Sequence, residues 1–289
     1  MDPVVARKTW RTLEPVHGMI YFAPEGQAAY TAAGLRGNRM GYFASRAAAM
    51  GPVPAEVVIA TFFNFEPSLV RASIPEAWSL ATPERVLEAR LDAVDRALRR
   101  AWGDEVIASP DLATAAGLAR TAALAASEHP EGRPLFAGHA GLIWPDEPHL
   151  VLWHAQALLR EFRGDGHVAT LVTEGLSGLE ALVIHEATGE IPSPVLRTSR
   201  AWSDDEWAAA VEGLAQRGFV APGDHGDGLQ LTDAGRSNRS SVEERTDALA
   251  MVAYVPLGDD GCQQLRELAR PLSRAVIDSG LLTPDPADW

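Results

Sequence analysis

The chain has 289 residues, 46% of them hydrophobic and 22% charged, with a formal net charge of −14; that length suits two ordinary domains or one large one with a sizeable core. The acidic balance works against the phosphate neutralisation that DNA binding requires, so DNA is an unfavoured partner. Cys262 is the single cysteine, which excludes disulfide scaffolds, thiolate zinc clusters and CxxC redox chemistry, while a charged Met1–Trp10 start and no run of ~20 apolar residues predict a cytoplasmic chain without signal peptide or membrane span.

In chain order the pattern is mainly α-helical. Pro54 opens a helix that buries Val57, Val58, Thr61, Phe62 and Phe65 and ends at Pro67. Thr82 caps the next helix with Pro83 at its first position, and Val86, Leu87, Leu91, Val94 and Leu98 form its apolar stripe before Gly103 stops it. A helix over about Leu112–Ser127 leads into a linker rich in proline. From Pro148 the pattern is helical to Phe162, is broken by glycines 164 and 166, and resumes to Glu174. Ser177–Thr188 is a further helix. Ser203-Asp204-Asp205-Glu206 is a capping box that starts a helix with Trp207, Val211 and Leu214 on one face. Phe219-Val220, the turn-rich Pro222–Gly228 and Leu229-Gln230-Leu231 read as a hairpin, followed by helices from Thr232 to about Ala250 and from Cys262 to Ser279, the last bent at Pro271. This divides the chain into an N-terminal helical lobe (1–110), a helix and linker (111–147) and a C-terminal lobe (148–289).

The chain also repeats itself faintly at an offset of 124. Arg36, Arg39, Gly51, Glu56, Glu66 and Ala77-Trp78-Ser79 fall on Arg160, Arg163, Gly175, Glu180, Glu190 and Ala201-Trp202-Ser203. Eight identities over 44 positions exceed the roughly three that composition would give, which points to duplication and two similar lobes. Where the copies differ, Gly41-Tyr42-Phe43 stands against Asp165-Gly166-His167, and Thr61-Phe62 against His185-Glu186. If the lobes face each other, an aromatic wall meets a polar one, which is the makeup of a small-molecule pocket.

A helix, a hairpin and then Leu231-Thr232-Asp233-Ala234-Gly235-Arg236 resemble the wing and following helix of MarR-type winged-helix regulators, over about Leu158–Ala250. More loosely, the whole chain resembles a helix-turn-helix-like group of actinobacterial proteins. The resemblance implies two winged-helix-like lobes, with a hairpin wing in the second. MarR wings usually carry arginines, whereas Pro222–Gly228 carries Asp224 and Asp227 and no arginine, and the presumed recognition helix opens on Asp204, Asp205 and Glu206.

The leading expectation is a pocket for a small aromatic or acidic ligand, with Arg39, Arg163 and His167 at its polar end, Tyr42, Phe43 and Phe62 at its apolar end, and Asn64 and His185 as further ligand-binding candidates. An enzyme is the alternative, with Asp165 orienting His167 as general base, or His154, Glu161 and His167 holding a metal. The plainer reading makes Asp165 a helix cap and pairs Arg163 with Glu161 or Glu174. Glu56 and Glu180 are equivalent in the repeat and are expected to pair with Arg39 and Arg163. The third reading is a ligand-responsive DNA-binding regulator. No sequence signature names a cofactor, and a monomer or weak dimer is expected.

Overall fold

The computed structural model describes residues 1–190, 193–223 and 228–282. The helices run in the order α1 (Pro3–Gly18), α2 (Pro24–Ala32), α3 (Gly37–Ala47), α4 (Ala55–Phe62), α5 (Pro67–Arg71), α6 (Glu76–Leu80), α7 (Pro83–Ile107), α8 (Pro110–Ser127), α9 (Pro134–Ala140), α10 (Pro148–Thr173), α11 (Gly178–Glu186), α12 (Ser193–Arg200) and α13 (Asp204–Gln216). A two-stranded antiparallel sheet follows, β1 (Val220–Pro222) paired with β2 (Leu229–Leu231), with Val220 opposite Leu231. Helices α14 (Asp233–Met251) and α15 (Gly258–Asp278) close the chain. The protein is mainly α with a small hairpin, as its sequence pattern requires. The expected aspartates of the wing, Asp224 and Asp227, lie outside the described residues.

Proline and side-chain caps set many of these starts. Pro83, Pro110 and Pro148 each occupy the first helical position, where no amide hydrogen is needed. Thr82 and Ser109 accept from the amides of Arg85 and Leu112, and both Ser177–Glu180 and Ser203–Glu206 form full capping boxes. Gly103 interrupts α7 at φ 70°, although the helix resumes to Ile107.

Helix α10 departs from expectation by running unbroken through Gly164 and Gly166. It is packed by α8, α14, α1 and α9, and that burial outweighs the ~1 kcal/mol helix penalty of each glycine. The segment read as a linker contains α9, and α15 continues across Pro271.

Two apolar cores result. The larger joins α1–α10 with Ala253, Tyr254 and α15, whose stripe Cys262, Leu265, Ala269 and Val276 packs on α1. The smaller gathers Leu171, Leu182, Val183, Leu214, Val220, Leu231 and Val242 around Trp207. Trp207 is fully buried, donates its indole N–H to Glu186 Oε2 at 2.8 Å and lies under the Arg197 guanidinium. No single helix among the described residues is long and apolar enough to cross a membrane; a bent pair, α10 with α11, passes only by length and composition.

The 124-residue offset lays α4 on α11 and α3 inside α10. Gly51 and Gly175 both take positive φ, 80° and 66°, and Trp78 and Trp202 both donate to a backbone carbonyl, of Val53 and Asn64. Two glycines are fixed by close approach. A Cβ on Gly178 would sit 1.9 Å from Phe63 O, and one on Gly235 1.9 Å from Phe219 O. Gly235 belongs to the Leu231–Arg236 string, so that string is held by the contact between α14 and the hairpin. Gly178→Ala and Gly235→Ala are each expected to destabilise the protein by about 3 kcal/mol through overpacking against backbone. Urea midpoints would show it; wild-type midpoints in both variants would refute this reading of the packing.

Candidate functional site

The interior holds an unusual concentration of charge where the loop after α4 meets the end of α12. Glu66 N donates to Arg200 O at 3.0 Å, Trp202 Nε1 to Asn64 O at 3.0 Å, and Arg39 Nη2 to Thr198 O at 3.3 Å. Behind this seam, Tyr42, Phe43, Phe62 and Phe65 form an aromatic cluster with ring centroids 5.0–6.4 Å apart. They meet because α3 carries residues 42 and 43 inward, and the end of α4 with the loop after it returns residues 62 and 65 to the same place.

Arg46, one turn beyond Tyr42 on α3, lies within this cluster, its guanidinium 4.4 Å from the Phe62 ring centroid. It donates to Tyr42 Oη at 2.9 Å and twice from Nη2 to the Glu161 carboxylate at 3.0 Å. Arg160 binds the same carboxylate at 2.8 Å. Burial alone would raise the Glu161 carboxyl; Arg160 and Arg46 outweigh it and hold the group below the usual carboxylate range. Tyr21 completes the wall, with its hydroxyl 3.1 Å from His17 Nε2. Burial pushes the Tyr21 phenol up to about 12, which keeps it protonated.

Arg200 approaches from α12. Its guanidinium lies 4.5 Å from the Phe65 centroid and donates to Ser199 Oγ at 2.9 Å. Its Nε is buried and has no hydrogen-bond partner, and no carboxylate pairs with it among the described residues. Burial, reinforced by Arg46 and Arg160, lowers its pKa even though Tyr42 opposes them. Tyr42 feels the reciprocal effect. Burial would raise it, yet Arg46, Arg200 and Arg160 together hold its phenol below the ordinary value. Three guanidiniums thus act on one tyrosine, and two of them, Arg46 and Arg160, share one fully buried carboxylate, with Glu14 Oε1 3.9 Å from Arg160.

Tyr42, Phe43 and Phe62 are therefore brought together, with the backbone of Asn64 at the rim and its side-chain oxygen buried without a partner. The charged residues beside them are not those expected. Arg39 is half-exposed and bonded to Thr198 O. Arg163 faces away from the cluster, stacks on Trp10 at 4.7 Å and pairs with Glu243 and Asp247, each at 2.9 Å. His167 lies 3.0 Å from Thr246 Oγ1 on α14, and burial, reinforced by Arg163 and Arg239 against Glu243, holds its pKa below the ordinary value. Asp165 does not orient His167. Two positions apart on one helix, the two side chains diverge, and Asp165 accepts from the Phe136 amide at 2.9 Å, acting as a tertiary cap on α9. Burial pushes its carboxyl up to about 6.

The ligand types proposed for a metal also separate. His154 packs edge-on to Trp144, Glu161 is held by arginines and His167 faces α14; no group of three such residues gathers among the described residues. Glu56 pairs with Arg71, and Glu180 with Arg217, rather than with Arg39 and Arg163. Sequence reasoning missed Arg46, Arg200, Tyr21 and Phe65. Arg46 had a usable signal: it falls one helical turn from Tyr42, on the face that carries the aromatic pair.

The segment from α11 to α14 contains the hairpin, and its helix α13 exposes Asp204, Asp205, Glu206, Ala208, Ala209, Glu212 and Gln216. Its arginines are largely neutralised internally. Arg197 meets Asp204, Arg217 meets Glu180, Arg236 meets Asp233, Arg239 meets Glu190 and Arg245 meets Glu174. The model of a helix-turn-helix family matches residues 6–283. No curated protein and no solved structure matches the chain.

Proposed function

The chain belongs to the helix-turn-helix family, and on that premise we propose that it binds a small aromatic or conjugated organic anion at the seam between α3–α4 and α10–α12. The observation that carries this reading is Arg200: a largely enclosed cation stacked on Phe65, with an unpartnered Nε and no carboxylate among the described residues. An acidic ligand group would satisfy it, Arg160 and the Tyr42 hydroxyl would lie beside that group, and the rings of Phe62 and Phe65 would accept a flat apolar body. Glu161 would keep Arg46 fixed rather than touch the ligand.

Equilibrium titration with a panel of aromatic carboxylates tests it. At least one acid is expected to bind, and Arg200→Met to weaken it about 10-fold or more, the value of a charge-assisted hydrogen bond. Unchanged affinity in Arg200→Met and Phe65→Leu would remove the ligand from this seam.

Family membership favours a second reading, a ligand-responsive DNA-binding regulator of MarR-like build. It predicts salt-dependent binding to duplex DNA. The acidic exposed face of α13 and the internally paired arginines support the ligand-binding reading without DNA, under which no duplex shift occurs even at ~50 mM salt. A shift whose salt slope falls in Arg239→Ala would establish the regulator instead.

A further inference from the structure

Away from the seam, a cleft of about 790 Å³ opens between α1, α10, the end of α11, β2 and α14. It lies beyond the binding site proposed above and uses none of its residues. Trp10 and Arg163 are among the residues that line it. The Arg163 side chain is only 9% exposed, and although its Nη2 is held by Glu243 and Asp247, its Nε is buried with no partner. The Trp10 indole N–H is likewise buried and unpartnered. Two donors on residues that line one cleft thus lack acceptors, a costly arrangement unless something supplies them.

The mouth is cationic in a different way. Arg11 lies on α1 next to Trp10, is exposed, and has no ion pair among the described residues. Arg236 and Arg239 face it from α14, paired with Asp233 and Glu190. The same helix also offers acceptors in Ser240, Glu243 and Glu244, and Thr188 adds one from beyond α11. Unsatisfied donors and a free guanidinium suit a phosphate, while carboxylates and hydroxyls suit hydroxyl groups a few ångströms away.

We infer that this cleft binds a phosphomonoester of a polyhydroxylated molecule, with the phosphate on Arg11, Arg163 and the Trp10 indole and the hydroxyls on the α14 carboxylates.

Calorimetric titration of the full chain with ribose 5-phosphate tests it, with ribose and inorganic phosphate as separate arms. Ribose 5-phosphate is expected to bind, inorganic phosphate at least 10-fold more weakly, and ribose not measurably. Arg11→Glu, which disturbs no ion pair, is expected to weaken the sugar phosphate at least 10-fold. A ligand-induced change in tryptophan fluorescence is expected to disappear in Trp10→Phe. Absence of binding to a folded wild-type chain, equal affinity for inorganic phosphate, or wild-type affinity in Arg11→Glu would each overturn the assignment. So would an equal loss in Arg200→Met, because the ligand would then occupy the seam.

Discussion

Glu161→Gln is expected to destabilise the protein by about 3–5 kcal/mol, the cost of breaking a buried ion pair by removing one partner. The substitution keeps the side chain's size, so no cavity forms. What changes is that Arg46, only 5% exposed, and Arg160 lose the carboxylate they share. The aromatic rings of Tyr42 and Phe62 attract the Arg46 cation but cannot replace a bidentate acceptor. Replacing both partners by apolar residues, Arg46→Met with Glu161→Leu, is expected to recover part of the loss, because the orphaned charge goes with its partner. The carboxyl also sets an acid limb. Held below its ordinary value by Arg160 and Arg46, it contributes stability above the unfolded value of 4.5, and that contribution is lost as pH falls through the lower folded value. Urea unfolding at pH 7 and below pH 4.5 reads both effects. A loss under ~1 kcal/mol at pH 7, with an unaltered acid limb, would mean that the pair is not what holds α3 against α10.

Helix starts were legible because proline and capping side chains mark them locally: Pro83 behind Thr82, and Ser203 with Glu206, need no tertiary information. The continuity of α10 was not legible, since Gly164 and Gly166 oppose it locally and only packing on α8, α14 and α1 overrides them. The site divides along the same line. Tyr42, Phe43 and Phe62 were identifiable from the mismatch between the repeat copies, because residues on one helix and its successor stay close. Their charged partners were not, since the choice between Arg160 and Arg163 depends on the rotation of α10 about its axis. Three residues apart, one arginine reaches Glu161 and Glu14 while the other faces Trp10 and α14. Arg200 comes from a helix whose placement follows from the fold alone.

Lowering the pH from 7 to about 4.5 is expected to weaken folding steeply, before most carboxylates titrate. Three buried histidines set the sign. His139 is pushed down to about 3 and His154 to about 4, both chiefly by burial with Arg90 adding to it, and burial lowers His17 as well. The cause is visible in His139. Its Nδ1 lies 2.9 Å from Leu135 O, and its Nε2 accepts from Arg90 Nη1 at 3.0 Å, so a second ring proton would set two cations against each other. Above pH 6.5 these rings are neutral folded or unfolded, and nothing is lost. Below 6.5 the unfolded chain takes up protons that the folded chain refuses, so stability falls until each folded value is reached, at about 1.4 kcal/mol per pH unit for each ring. Asp165 acts in the opposite sense. Its folded carboxyl, pushed up to about 6, binds a proton before the unfolded one does and offsets one histidine between pH 6 and 4. Near pH 5 His139 and His154 set against Asp165 leave a net uptake of about one proton on unfolding, roughly 1.4 kcal/mol per pH unit, and the lowered His17, His167 and His185 add to it in the same sense. His154→Phe isolates one contribution, because its Nε2 has no hydrogen-bond partner and a phenyl ring can keep the contact with Trp144. That variant is expected to reduce the slope by about one proton while leaving stability at pH 7 within about 1 kcal/mol. Unfolding free energies at pH 7, 6 and 5 decide the matter: a flat profile in the wild type, or an unchanged slope in His154→Phe, would mean that these rings gain protons in the folded state as easily as in the unfolded one.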